Sequence, residues 1–487
     1  MQHLSQSQTQ NKMAPKNLKI LSNQCYHHIT TNALFLIIPS LLFAAIHHLS
    51  IINLNHLYND SLTAAAAILS LCISLSYFLR PTKVYLVDFA CYRHDPAFST
   101  ARDVITEKMS TLLSPESLSF VTKVMERSGA GDETFVYGLR DFPPKSSFEC
   151  AREEAEIVLC GAVDDLMAKT GVEAARIGVV VVNVSTFNPV PSLSAMVVNR
   201  YKLREDVLTY NLGGMGCSAG LIAVDLAKRL LQVQRNSYAL IVSLECPTSG
   251  HYLGPDKSKL LSNCLFRMGA SALLLSNRPS DRRTSKYELT LTLRTHRGAD
   301  DRSYNCVYQQ PDNDGVLGIT ISKDLPAVAG EALKANITAL GPLVLPVSEK
   351  LTFLATLIRR KWLHMKGLEP YVPDFKAAFE HFCVHAGGKA VLDAVEASLR
   401  LRAWDMEPAR MTLYRYCNTS SSSVWYQLAY VEAKGRVRRG DRVWQLGFGS
   451  GFKCASGVWR ALRTIPPHEV DNPWLQVIDQ YPISLPN

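Results

Sequence analysis

The sequence predicts an α/β domain with a duplicated core, preceded by a hairpin of two membrane-spanning helices. Two long apolar stretches without charge stand near the N-terminus. Short β-branched runs then alternate with amphipathic helical patterns. That alternation occurs twice, in two halves of comparable size, each with loops of functional character between strand and helix.

Residues 1–32 are polar and carry Lys12, Lys16 and Lys19 without an acid, which predicts a cytosolic N-terminal segment. The stretch 33–52 is apolar, broken mainly by Pro39 and the pair His47-His48. At ~1.5 Å per residue it is long enough for a hydrocarbon core of ~30 Å. A second stretch, 62–79, has no charge and ends at Arg80 and Lys83, while the loop between the two carries Asp60. Basic residues at both outer ends predict a transmembrane hairpin over 33–79 with both termini cytosolic. A cleaved signal peptide fits less well, because the polar lead is long and a second span follows directly. A third reading makes 62–79 a core helix. Asn59-Asp60-Ser61 is an N-glycosylation sequon in the turn, too close to the bilayer to be modified.

The chain has 487 residues, 47% hydrophobic and 20% charged, which excludes a disordered or fibrous protein. Its 52 Lys and Arg against 43 Asp and Glu give a net charge of +9. That excess suits an anionic substrate or a membrane surface. No dense basic tract or nucleic-acid module occurs, so nucleic acid is set aside. The 12 cysteines are scattered without a CxxC pair, which argues against a zinc ribbon and a secreted disulfide framework and for reduced thiols facing the cytosol.

Beyond Lys83, Ser147–Thr170 reads as a helix with Ala155, Val158, Leu159, Ala162 and Leu166 on one face. Ile177–Val184 is a nearly continuous valine run, the pattern of a strand covered on both faces. Tyr238–Ser243 and Met268–Leu275 are further buried strands. Lys389–Arg400 is helical, Met411–Leu413 ends a strand, Val424–Ala433 is a helix behind a Ser420–Ser423 cap, and Arg442–Phe448 is a strand entering a glycine-rich turn. The polar segment Arg278–Ser285 is the exposed connection between an N-terminal half, 80–280, and a C-terminal half, 281–487.

The chemistry centres on Asn211-Leu212-Gly213-Gly214-Met215-Gly216-Cys217-Ser218-Ala219-Gly220. Glycines on both sides of the cysteine make a sharp turn, and a buried helix follows from Ala219. Cys217 thus stands at a helix N-terminus, where the dipole favours a thiolate that accepts an acyl group. The bland reading is a small cysteine buried in a tight turn.

His381 and His385, four residues apart, could share a helical face as metal ligands. The order is not HExxH and no third ligand has a recognisable spacing, so no metal is expected. Gly387-Gly388 instead puts His385 in a loop. Asn418 precedes four serines and is either a helix cap or a partner of His385. Gly447, Gly449 and Gly451 follow a strand and could offer backbone N–H groups as oxyanion donors; the run lacks the spacing of a dinucleotide site.

Taken together these segments resemble the plant-type 3-ketoacyl-CoA synthases, the condensing enzymes of very-long-chain fatty acid elongation. The resemblance also covers Lys83-Val84-Tyr85-Leu86-Val87-Asp88, Asn188-Pro189-Val190-Pro191, Ser262-Asn263-Cys264-Leu265-Phe266-Arg267, Arg294-Thr295-His296-Arg297-Gly298 and Gly341-Pro342-Leu343-Val344-Leu345-Pro346. It implies a duplicated thiolase-like fold, layered α-β-α-β-α, and an enzyme of the acyltransferase class. It implies that Cys217 carries the acyl group as a thioester, that His385 and Asn418 hold the malonyl-CoA carbonyl during decarboxylation, and that His296 and His381 support them. No cofactor is implied beyond the substrates acyl-CoA and malonyl-CoA. The implied partners are a second copy in a homodimer, the membrane of the endoplasmic reticulum, and the reductase and dehydratase of an elongase complex.

Two features depart from the family. Tyr414 stands where histidine is usual, and Glu245-Cys246-Pro247-Thr248 breaks the common pattern. Tyr414 keeps a second reading in view, a catalytically weak paralogue acting as a membrane scaffold. A soluble polyketide-type enzyme shares the nucleophile but not the expected hairpin.

Overall fold

The computed structural model describes residues 66–72, 82–137, 147–361 and 371–484. Nine strands form one sheet. In chain order they are β1 (Tyr85–Cys91), β2 (Ile177–Val184), β3 (Leu208–Gly213), β4 (Tyr238–Glu245), β5 (Gly269–Ser276), β6 (Tyr287–His296), β7 (His381–Val384), β8 (Arg442–Gly449) and β9 (Lys453–Ala461). Their spatial order is β7-β8-β9-β6-β1-β5-β4-β2-β3. Five strands lie on the N-terminal side, with β3, β2 and β4 parallel, β5 antiparallel to β4, and β1 antiparallel to β5. Four lie on the C-terminal side, where β7 runs parallel to β8. The two groups join through a short pairing, Tyr85 with Glu288 and Leu86 with Tyr287.

Helices complete the layers. Helix α1 (Phe148–Thr170) begins at Ser147, whose side chain accepts from the Cys150 N–H, and ends at Gly171 in the left-handed region. It packs on β1, β4 and β5. Helix α2 (Ala219–Val233) touches β2 and β4 on one side and β6, β8 and β9 on the other, so it is sandwiched between the two strand groups. Helix α3 (Leu325–Val344) covers β6 and β9 from outside. Helix α5 (Ser423–Ala433), which follows α4 (Ala403–Tyr416), is buried along its whole length. Buried on all sides, with Gln427 and Glu432 held by hydrogen bonds, α5 needs cover on every side, which a central layer supplies. The α-β-α-β-α order and the duplicated α/β core follow from these contacts.

A buried charge cluster sits where the two strand groups meet. Lys286 Nζ lies 2.7 Å from Asp88 and 3.0 Å from Glu432, and the Tyr287 hydroxyl donates to Glu432 at 2.9 Å. One ammonium thus serves two carboxylates, with the Tyr287 hydroxyl as a further donor to Glu432, and burial raises the Glu432 pKa.

The expected membrane hairpin is corrected. Among the described residues no helix is long and apolar enough to cross a membrane. Of the second expected span only 66–72 is described, a helical stretch reaching ~10 Å at ~1.5 Å per residue, a third of a bilayer core. The first expected span, 33–52, the sequon turn and the lead 1–32 lie outside the described residues. The multi-pass placement in the endoplasmic reticulum membrane falls with the hairpin.

A second correction concerns Met411–Leu413, expected to end a strand. These residues sit inside α4, where Met406, Ala409 and Leu413 are buried and Asp405 and Arg402 close a capping box at the start. The expected boundaries at 147–170, 177–184, 389–400 and 424–433 agree with the structure to within a residue.

Candidate active site

Cys217 lies between β3 and α2. The chain turns there through Gly214 (φ +64) and Gly216 (φ +71), and the Gly214 N–H bonds to the Ser185 carbonyl at 3.2 Å. A Cβ on Gly216 would stand 2.9 Å from the Gly449 Cα, and one on Gly449 would stand 2.9 Å from the Met215 carbonyl oxygen. The nucleophile turn and the β8–β9 turn therefore approach backbone to backbone, which requires glycine in both. Gly447 packs on Ser218 in the same way.

The other candidate residues come from loops at strand and helix ends. His385 follows β7 and continues its pairing, its N–H donating to the Leu446 carbonyl at 2.8 Å. Its Nδ1 lies 2.9 Å from the Ser423 hydroxyl. Asn418 follows α4 and is tied to Phe266 by a parallel bridge. Its Oδ1 accepts from the Ser420 N–H at 2.8 Å, so its amide N–H groups are what it can offer a substrate carbonyl. His296 ends β6 opposite Lys453, and its Nδ1 accepts from the Gly298 N–H at 3.0 Å.

Cys217, His385, Asn418, His296, Gly449 and Gly451 all line one cavity of about 490 Å³. Part of its wall is apolar. Ile105, Met109, Val121 and Met125, from helices Arg102–Ser110 and Pro115–Arg127, belong to a separate hydrophobic cluster and face the same space. Sequence reasoning assigned no role to these helices, although the spacing of Val121 and Met125 on one face was a visible signal.

Gly447, inside β8, is not among the lining residues, and two further expected residues lie elsewhere. His381 is in strand β7 rather than a helix, is not among the cavity-lining residues, and has its Nε2 2.9 Å from Asp441 Oδ2. Tyr414 is in the last turn of α4, against Gly131 and Tyr481, and does not line the cavity. Among the described residues no cluster of His, Cys, Asp and Glu could hold a metal.

Burial sets the electrostatics. It pushes the Cys217 thiol up to about 12; the Ser420 hydroxyl draws it down and the Glu245 carboxyl adds to the rise. Burial also lowers His385 to about 4, so its imidazole is neutral at ordinary pH. The helix N-terminus thus does not suffice to ionise Cys217 in the resting site. The 2.9 Å contact between Nδ1 and the Ser423 hydroxyl allows either group to donate; in the tautomer where Ser423 donates, the imidazole carries its proton on Nε2 and can donate there.

Residues 76–362 match the family described as FAE1/Type III polyketide synthase-like protein, and residues 376–461 match the 3-oxoacyl-[acyl-carrier-protein] synthase III C-terminal family. Among curated proteins, 3-ketoacyl-CoA synthase 2 of Arabidopsis thaliana is 54% identical over 479 residues, covering 95% of this chain and 91% of the relative. The chain belongs to the 3-ketoacyl-CoA synthase family. In 3-ketoacyl-CoA synthase 11 of the same plant, 50% identity covers 95% of this chain and 93% of the relative. Among solved structures, a fungal type III polyketide synthase superposes with a TM-score of 0.60 at 19% identity, over 78% of this chain and 99% of that one. That likeness concerns the fold. Family membership makes the chain a condensing acyltransferase of very-long-chain fatty acid elongation.

Proposed function

We propose that this 3-ketoacyl-CoA synthase works by a decarboxylative Claisen condensation through an acyl-Cys217 thioester. The carrying observation is a single cavity lined by Cys217, His385 and Asn418 and walled on part of its surface by apolar side chains. A long acyl chain on Cys217 gains about 0.8 kcal/mol for each methylene it buries against such a wall. Malonyl-CoA then places its thioester oxygen against the donors of His385 and Asn418. Loss of CO2 leaves an enolate whose charge those donors stabilise, and its carbon attacks the Cys217 thioester. The C–S bond to Cys217 breaks as the new C–C bond forms, so the products are CO2, a 3-ketoacyl-CoA two carbons longer and a Cys217 thiolate, which takes a proton from solvent to restore the thiol. Backbone N–H groups of the Gly447–Gly451 turn, which abuts the nucleophile turn, serve as further oxyanion donors. His296 lies at the cavity margin in a supporting role.

The proposed division into halves, 80–280 and 281–487, follows the two strand groups, with His385 and Asn418 on the second and Cys217 on the first. A homodimer is proposed on β3, which is paired with β2 alone among the described strands and exposes Thr209 and Tyr210. An open strand edge is a ready template for a second copy. A reductase and a dehydratase as partners are proposed from the chemistry of the product, a ketone that they would process.

The experiment is a labelled acyl-CoA and malonyl-CoA assay on the full chain. Cys217→Ser should fold but lose both acyl loading and elongated product, since an alcohol ionises far less readily than a thiol. Wild-type elongation in that variant would end the proposal. The scaffold reading rested on Tyr414 and has no support from the cavity.

A further inference from the structure

A helix over Val347–Lys361 follows α3 beyond Pro346. Four of its apolar side chains, Val347, Leu351, Leu354 and Ile358, are 68%, 60%, 52% and 44% exposed. At ~100° per residue they fall within a stripe about 60° wide along one face of the helix. The other side meets the domain. Thr356 and Leu357 are half-buried there, and Glu349 accepts from the Tyr371 hydroxyl at 2.7 Å and from the Asp374 N–H at 2.9 Å. The usual orientation of an amphipathic surface helix is thereby reversed, with its apolar stripe outermost.

Charge decides what such a face meets. On the helical wheel Lys350 borders the stripe on one side and Arg359 on the other, and Arg359 and Arg360 are exposed in the last turn. Glu349, the one acid of the helix, is held on the domain side by the two bonds just given. A second copy docked on this face would bring the cations against their own counterparts, because a two-fold contact repeats the same patch. A bilayer surface with anionic headgroups suits both features. The stripe enters the acyl boundary while the long basic side chains reach the phosphates. At ~1.5 Å per residue the helix reaches ~22 Å, short of a hydrocarbon core of ~30 Å, so it lies along the surface and does not cross.

We propose that the stripe of Val347, Leu351, Leu354 and Ile358 seats the catalytic domain on an anionic lipid surface. The inference is independent of the chemistry at Cys217. The seat is peripheral, a contact made by the domain's own surface, with no membrane span taking part. Each leucine that leaves water for the acyl boundary strengthens the contact by roughly tenfold or more. Each Lys or Arg near the headgroups adds roughly fivefold at low salt. A domain held there stays at the interface where long acyl chains concentrate, since every methylene favours the apolar phase.

The test reads this helix locally in the full chain, so that lipid contacts made elsewhere do not enter. Amide hydrogen exchange of peptides covering Val347–Lys361 is followed without lipid, with phosphatidylcholine vesicles, and with vesicles containing about a third phosphatidylserine. The proteins are wild type, the double variant Leu351→Glu/Leu354→Glu and the double variant Arg359→Gln/Arg360→Gln. All four substituted side chains are exposed, so both variants should fold and elongate a detergent-dispersed acyl-CoA at the wild-type rate. Anionic vesicles should slow exchange of the wild-type helix at least about tenfold, and raised salt should weaken the effect. Leu351→Glu/Leu354→Glu should exchange at its lipid-free rate, and Arg359→Gln/Arg360→Gln should lose the difference between the two lipids. Equal slowing by both lipids in wild type overturns the proposal, as does slowing that survives Leu351→Glu/Leu354→Glu. Slow exchange without lipid also overturns it: if dilution releases it, a second copy covers the stripe, and if only Leu351→Glu/Leu354→Glu releases it, the chain covers its own stripe.

Discussion

The Ser423 hydroxyl stands 2.9 Å from His385 Nδ1, on the side of the ring away from the nitrogen that the cavity uses. Ser423 is fully buried at the start of α5, so the helix and the imidazole are aligned by one hydrogen bond. The decarboxylating donor therefore has a rigid backing.

Removing that backing should affect chemistry more than stability. Ser423→Ala deletes one neutral hydrogen bond worth about 1 kcal/mol, and it frees the ring to choose the other tautomer. Malonyl-CoA decarboxylation on acylated enzyme should fall roughly fivefold to tenfold, with KM nearly unchanged. An unchanged rate would mean that the ring is held by packing alone.

Tyr414 leads to a contrasting expectation. Its ring lies against Gly131 and Tyr481 and does not line the cavity. Tyr414→Phe should keep elongation within about twofold of wild type, far less than the loss of a transition-state hydrogen bond at ~1 kcal/mol or more. A large loss in kcat would show a connection to Asn418 that the packing does not.

Gly449, the last residue of β8, has no room for a side chain. A methyl group on Gly449 would meet the Met215 carbonyl oxygen at 2.9 Å and crowd Ser218, so Gly449→Ala must push the nucleophile turn aside. Acyl loading of Cys217 should drop at least tenfold, a displacement on the scale that costs catalysis heavily. Labelled acyl transfer measures it directly, and normal loading would show that the two turns are not rigidly coupled.

Glu154 should impose a pH dependence on stability. It is fully buried in α1, accepts from the Thr248 N–H at 3.1 Å, and burial pushes it up to about 8. Between the ordinary carboxyl pKa near ~4.5 and 8, the folded chain holds a proton that the unfolded chain has released. Folding therefore loses stability as pH rises through that window, the sign expected for a carboxyl with a raised folded pKa. Glu154→Gln should flatten this part of the curve and gain on wild type above pH 8 by ~2 kcal/mol or more. Urea unfolding at pH 5 and pH 8.5 provides the comparison, and parallel curves would mean that Glu154 is ionised in the folded state.

How much the sequence revealed depends on how local each signal was. The turn around Cys217 and the loop at His385 could be read because neighbouring glycines mark sharp backbone changes, and the valine run of β2 because full burial leaves it no polar alternation. The helix α4 was mistaken at Met411–Leu413 because Pro408 interrupts the pattern and the end of the helix is rich in residues that also suit a strand, Thr412, Tyr414 and Tyr416. His381 was associated with the site by its nearness to His385, yet in a strand four residues extend ~13 Å, which sets the two imidazoles at different heights along β7. Ser185 and Ser420, whose hydroxyls lie 3.2 Å apart, stand 235 positions apart in the chain, so no spacing rule could have joined them.

The edge position of β3 gives the nucleophile an unusual neighbour. The strand ends at Gly213, and four residues later the chain reaches Cys217, with no intervening helix to absorb a displacement. Whatever lies along that edge, a second copy or solvent, bears on the stiffness of the turn that aims the sulfur. With the homodimer proposed above, dilution would become a chemical variable for this enzyme, because separating the copies would uncover the strand that leads into the nucleophile turn.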